Sequence, residues 1–149
     1  MANEKQHVGV YGIVRRGGEL LLVRKTRGPY EGKWDLPGGG VLHGEEPYRT
    51  LIRELAEEVG LKLYAQAFPL WGNLSTLTLI MEGEVEISFF HIGMIYEVSL
   101  SESDQINHAL HNEDVGGAEW FSLRTLLDLE LTPFAREVVR KLQSGVSCV

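Results

Sequence analysis

The segment GGGVLHGEEPYRTLIRELAEEVGL, residues 38–61, constrains the fold of this chain more than any other stretch. Within it the apolar residues Leu51, Ile52, Leu55 and Val59 recur at helical spacing. Glu54, Glu57 and Glu58 fall at i, i+3 and i+4, which puts three carboxylates on one neighbouring stripe. Pro47 suits the first helical position, where its missing N–H costs nothing, and Gly60 suits the left-handed residue just past the end, with Leu61 folding back on the last turn. The spacing predicts a helix over residues 47–59 with one side packed and the carboxylate side turned to a site. Such a face can hold a divalent cation. It is equally compatible with a solvated surface, because like charges at i,i+4 on an exposed helix cost only about 0.2–0.5 kcal/mol.

The remaining chain reads as strands and loops around that helix. Residues 7–14 and 19–23 form a predicted hairpin, with Gly17-Gly18 supplying the positive φ of its turn. Residues 25–40 are dense in Gly and Pro, so they are expected to form a loop holding at most a short extended piece at 34–36. Residues 77–81 and 85–98 surround Glu82-Gly83-Glu84 and are rich in β-branched and aromatic types, which predicts a second hairpin with a central, buried second arm. A polar irregular stretch leads to an edge element at 120–123 and a helical turn at 123–129. Thr132 and Pro133 then cap and open a helix through Leu142. No repeat, low-complexity tract or linker divides the chain, so one domain over residues 1–149 is expected.

Charge narrows the partners. With 14 Lys and Arg against 21 Asp and Glu, the net charge of −7 argues against a broad nucleic-acid footprint, while a metal-neutralised phosphate ligand needs no basic patch. No apolar run approaches the length of a membrane span, and the opening MANEKQHVGVYG lacks the charged-then-apolar layout of a secretory signal, so no membrane partner and a cytoplasmic location are expected. Cys148 has no partner within the chain for a disulfide.

The decisive pattern is wider than three glutamates. Gly39, five residues, Glu45, seven residues, Arg53-Glu54-Leu55, one residue, Glu57-Glu58, one residue, Gly60-Leu61 resembles the Nudix box throughout. Chance would produce that pattern at a rate on the order of 10⁻⁹ per window. The resemblance extends to the lead-in KWDLPGG, the flanking hairpins, Glu119-Trp120-Phe121 and the terminal helix. It implies an α+β fold, an α/β/α sandwich with a mixed central sheet in which the box forms a loop-helix-loop. It also implies a MutT-like hydrolase that cleaves a phosphoanhydride of a nucleoside diphosphate linked to a moiety X. The cofactor implied is Mg²⁺, with Mn²⁺ as substitute. Gly38 (through its carbonyl), Glu54, Glu57 and Glu58 are the implied metal ligands, and Arg53 with the three glutamates the catalytic set. Glu45 is expected to support the arrangement and Arg53 to orient the carboxylates. A catalytically inactive nucleotide-sensing module on the same fold is the alternative, disfavoured because every defining residue is present.

Outside the box, Arg24, Lys25, Arg27 and Lys33 lie close in sequence and suit phosphate charge left unneutralised by a metal. Arg24, Lys25, Lys33 and Trp34 are the chosen substrate-binding set, and Glu113 or Asp114 a candidate extra acid. Trp34, Tyr30 and Phe90 are candidates for stacking on a base, with Phe90 expected in the core. His91, His108 and His111 lack the spacing of a zinc site. The marks that set apart ADP-ribose, dinucleoside polyphosphate and NADH subfamilies are missing: no proline stands between Pro69 and Pro133, no tyrosine between Tyr64 and Tyr96, and no SQPWPFPxS string occurs. The expected partner is therefore a small nucleotide or nucleotide conjugate, first of all a nucleoside triphosphate, intact or modified. A homodimer is left open.

Overall fold

The computed structural model describes residues 3–63 and 68–145, so Cys148 lies outside the described residues. Seven strands and two helices follow in order: β1 Asn3–Arg16, β2 Glu19–Lys25, β3 Trp34–Asp35, β4 Gly38–Gly40, α1 Pro47–Val59, β5 Leu70–Glu82, β6 Val85–Ser99, β7 Val115–Ser122 and α2 Pro133–Ser144. A 3-10 turn at Leu126–Asp128 precedes α2. The sheet runs β3-β2-β1-β6-β5, with β4 added beside β1 and β7 beside β2. β1 and β6 are parallel from Asn3↔Ile87 to Arg15↔Ser99, and the other pairs are antiparallel, so the sheet is mixed as expected.

Period-2 alternation distributes the core to the two helices. Val10, Val14, Leu21 and Val23 pack with Leu51, Leu55 and Val59 of α1. Their sequence neighbours Tyr11, Ile13, Leu20 and Leu22 point the other way, onto Phe134, Ala135 and Val138 of α2. The sheet is thus covered on both faces, giving the α/β/α order.

The helix boundaries match the sequence signals: Gly60 sits at φ 68°, its N–H bonds back to the Ala56 carbonyl, and the Leu61 N–H bonds back to the Leu55 carbonyl, each at 3.2 Å. The strands outrun their expected lengths, most of all β1, β5 and β7. β1 begins at Asn3, β5 at Leu70 with a register shift before Gly72, and the edge element expected at 120–123 is the end of β7. Pairing explains the excess, since the polar ends of β1 and β5 are held by β6 and β7 by β2. Phe90 departs from its expected core position. Between Ile87 and Ile95 the buried residues of β6 are Ile87, His91, Gly93 and Ile95, so Phe90 falls on the opposite face and is only half-buried, beside the exposed Leu77.

Candidate active site

The box closes on itself through hydrogen bonds. β4 is pinned to β1 by the pairs Gly9↔Gly40, Val10↔Gly39 and Tyr11↔Gly38. At Gly38 a side chain would collide with the Val10 carbonyl and Tyr11 backbone, and φ is 147°, so only glycine fits. A Cβ at Gly39 would stand 2.6 Å from Glu54 Oε1, so this glycine is what lets the Glu54 carboxylate lie against the β4 backbone. The Gly38 N–H donates to Glu58 Oε1 at 2.8 Å, tying the loop to the last turn of α1.

Arg53 organises the other side. Its Nε and Nη2 donate to the two oxygens of Glu45 at 2.8 and 3.0 Å, its Nη1 to Glu54 at 2.9 Å and Glu57 at 3.3 Å, and Nη2 also to the Gly40 carbonyl at 3.1 Å. One guanidinium therefore fixes three carboxylates and the loop. The hydrogen bonds from Arg53 and Thr50 hold the Glu45 carboxyl at about 2. Arg53, expected to orient the carboxylates, thus contacts Glu45, Glu54 and Glu57 at once.

Glu54, Glu58, Gly38, Gly39 and Gly40 line one cavity of about 260 Å³, shared with Lys25, Arg27 and Asp114. Glu58 is 4% exposed, and burial pushes its carboxyl well above the ordinary range, against the pull of the Gly38 N–H and with the push of Glu54. Burial also raises Glu54, against the pull of Arg53. Two desolvated acids facing one polar cavity favour a cation between them. Among the described residues no three His, Cys, Asp or Glu side chains converge tightly enough to hold an ion unaided. The donors are all oxygens, two carboxylates beside backbone carbonyls, which fits a hard cation such as magnesium that keeps waters and shares substrate phosphates.

The remaining expected residues divide. Glu57 is turned outward, with its side chain 52% exposed and held by Arg53, and it does not line the cavity. Lys25 lines the acid cavity, whereas Arg24, one step along β2, points to the other face. There its guanidinium lies 5.7 Å from the Trp34 ring. Trp34 packs edge-on against Phe121, with ring centroids 4.8 Å apart, and Lys33 lines a separate groove between β5 and α2. Of the four chosen substrate residues, the structure brings only Lys25 to the carboxylates. Arg27 joins it, bonded through Nε to Asp114 Oδ1 at 2.6 Å. Asp114 lines the cavity and Glu113 does not, which separates the two candidate acids. His108 Nδ1 donates to the Ala118 carbonyl at 2.8 Å and the His111 backbone bridges to Gly116, and neither joins a metal-ligating group among the described residues.

A family model described as the NUDIX domain matches residues 4–142. The chain belongs to the Nudix family. Nudix hydrolases act on phosphorus-containing acid anhydrides, so the membership makes this an enzyme fold with an intact box. A putative 8-oxo-dGTP diphosphatase 2 of Mycobacterium tuberculosis is 46% identical over 55 residues, covering 36% of this chain and only 39% of that protein's length. An RNA pyrophosphohydrolase of Helicobacter pylori is 29% identical over 121 residues, covering 75% of this chain and 72% of the relative. The crystal structure of a MutT protein from Methanosarcina mazei Go1 superposes with a TM-score of 0.71 at 21% identity, covering 97% of this chain and 98% of that one, which shows a shared Nudix fold.

Beside the acid cavity of this Nudix fold lies a second one of about 280 Å³, which shares His7, Tyr11, Lys25, Arg27, Asp35 and Asp114 with it. Its remaining walls include Tyr30, Phe89, His91 and Phe134. Tyr11 and His91 share a hydrogen bond of 2.7 Å, His91 stacks on Phe134 with centroids 4.3 Å apart, and His7 and Phe89 present near-parallel rings. Burial, with His7 and Lys25 nearby, lowers His91 to about 4, and burial with Lys25 and Lys5 lowers His7. Sequence reasoning missed His7, Tyr11, Phe89 and Asp35. Only the alternation of β1 and β6 onto one face signals that His7, Phe89 and His91 converge, and it does so once the parallel register is known.

Proposed function

We propose that this protein hydrolyses a phosphoanhydride bond of a nucleoside diphosphate linked to a further group, with a nucleoside triphosphate, intact or modified at its base, as the leading substrate. The observation that carries the reading is the pair of buried carboxylates, Glu54 and Glu58, held by the Gly38–Gly40 loop beside a second cavity lined with aromatic rings. The similarity to a putative 8-oxo-dGTP diphosphatase and to an RNA pyrophosphohydrolase supports a triphosphate-type substrate.

In this reading Glu54, Glu58 and the Gly38 carbonyl would hold Mg²⁺ or Mn²⁺, which would supply Lewis-acid stabilisation of phosphate charge. Lys25 and Arg27 neutralise the phosphate oxygens that remain. Glu54, whose carboxyl burial has raised, is the acceptor for a proton from the attacking water. Asp114 aligns Arg27 at 2.6 Å, and Arg53 keeps Glu54 from swinging away. Glu57, held by Arg53 at 3.3 Å on the open side of the site, would be a further ligand to the same ion. The same reading takes the enzyme as cytoplasmic, working as a monomer or a homodimer; no helix among the described residues is long and apolar enough to cross a membrane.

The test is turnover of a panel of nucleoside triphosphates, base-modified triphosphates, nucleotide conjugates and a 5′-triphosphorylated RNA oligomer with Mg²⁺ or Mn²⁺, products being identified to locate the bond broken. Metal-dependent release of pyrophosphate or phosphate is expected, lost in Glu58→Gln. Tight binding with no turnover of any member would replace the hydrolase by the sensing module, and full activity in Glu57→Gln would remove Glu57 from the site.

A further inference from the structure

The aromatic cavity contains one polar group that the hydrolytic reading does not use. Asp35 is 7% exposed and lines both cavities. Its Oδ1 accepts two hydrogen bonds, from the Leu36 N–H at 2.9 Å and from Thr132 Oγ1 at 2.9 Å. Thr132 is itself fixed as the cap of α2, accepting from the Ala135 N–H at 3.2 Å. The carboxylate therefore cannot turn, and among the described residues Oδ2 makes no hydrogen bond. A buried acceptor in a fixed direction, beside rings that offer flat faces, is an arrangement for reading a heteroaromatic edge rather than for holding an ion or a phosphate.

We propose that the second cavity is the nucleobase site and that Asp35 selects a guanine-type base by accepting from its edge, with Phe89 and His7 as the stacking walls. This rests on the nucleotide-hydrolase reading and names its base preference. Hydrogen-bond chemistry supplies the choice. Guanine presents two adjacent donors, N1–H and N2–H₂, to a carboxylate. Adenine and cytosine place a ring-nitrogen lone pair beside their amino group, and uracil flanks its single N–H with two carbonyls, so each of these sets an acceptor against Asp35. An oxidised guanine keeps both donors on that edge. The walls contribute affinity without regard to base identity, because every base has a π face.

The experiment measures binding of GMP, AMP, CMP and UMP to the metal-free full-length protein by calorimetry, alongside metal-dependent turnover of the four triphosphates. GMP is expected to bind at least about tenfold more tightly than the others, because an acceptor set against an acceptor is rejected. Asp35→Asn keeps an oxygen for Leu36 and Thr132 and turns the free edge from acceptor to donor. That variant is expected to lose the guanine preference by about tenfold or more, through KM rather than kcat. Phe89→Ala is expected to weaken all four monophosphates by about tenfold while leaving their ratio unchanged. Equal binding of the four by the wild-type protein, or an unchanged ratio in a folded Asp35→Asn, overturns the assignment. If Asp35→Asn does not fold, the wild-type ratio and Phe89→Ala still decide it. Discrimination among monophosphates without turnover of any triphosphate would refute the hydrolase and keep the base site; turnover without discrimination would do the reverse.

Discussion

Glu58→Gln should make the metal-free protein more stable while removing its response to metal. In the native fold the Glu58 side chain is almost entirely shielded from water, and its carboxyl is met by the Gly38 N–H at 2.8 Å. Burying a carboxylate costs several kcal/mol even after relaxation. Glutamine keeps an oxygen for Gly38, so the substitution forfeits only the charge-assisted part of that bond, about 1 kcal/mol. The balance favours the variant by about 1–3 kcal/mol at pH 7, or about 3–10 °C in Tm for a chain of this size. The pH dependence has a definite sign. A carboxyl raised in the folded state leaves stability intact below its unfolded value and loses it as pH rises through the folded one, so the variant's advantage should grow with pH and shrink toward pH 4.5. Thermal unfolding in EDTA and in a series of Mg²⁺ and Mn²⁺ concentrations measures both effects. The wild-type Tm should climb with metal and the variant's should stay flat. A variant that melts lower than wild type in EDTA at pH 7 would refute the claim that Glu58 is an uncompensated buried acid.

Three further perturbations address the scaffold around it. Glu45→Gln should destabilise the fold at neutral pH, and because Arg53 holds the Glu45 carboxyl at about 2 against an ordinary value of 4.5, the difference from wild type should persist above pH 4.5 and disappear as pH falls toward 2; acid-unfolding curves of the two proteins decide it. Gly39→Ala puts a methyl within 2.6 Å of Glu54 Oε1, so turnover should fall by about tenfold to a hundredfold with circular dichroism unchanged, and wild-type activity would show that Glu54 is not held where it must act. Thr132→Val removes both the α2 cap and the donor to Asp35, and should cost about 1–3 kcal/mol in urea unfolding; an unchanged midpoint would show that α2 does not depend on this cap.

Local signals were enough for α1. Its proline entry, left-handed Gly60 and apolar period all lie within 14 residues, and each acts through the backbone of its own helix. The strands were harder, because strand length is set by a partner. Nothing in NEKQ requires extension, yet Asn3 to Gln6 are held by Ile87 to Phe90 across the parallel pair. Phe90 misleads for the same reason: an aromatic in a continuous apolar run looks buried until the register fixes which of its neighbours faces α2.

The site divides along the same line. Glu54, Glu58, Gly38 and Arg53 meet because they belong to one contiguous loop and helix, so spacing alone brings them together. Lys25 and Arg24 are adjacent in sequence and equally basic, but alternation along β2 sends one to the carboxylates and the other to Trp34, and the choice depends on which face β4 covers. Asp114 reaches the cavity across 87 residues by pairing with Arg27, and Asp35 reaches Thr132 across 97. The acids proposed to hold the cation are therefore local in sequence, whereas the residues around the second cavity come from β1, β2, β3, β5, β6, the loop after β2 and the start of α2. A single substitution in β6 can reshape that cavity without touching the box. In the proposed assignment the acids are written in one motif and the base-facing side chains in the assembled sheet, with Lys25, Arg27 and Asp114 lining both cavities, which is why the motif alone does not show what those acids are offered.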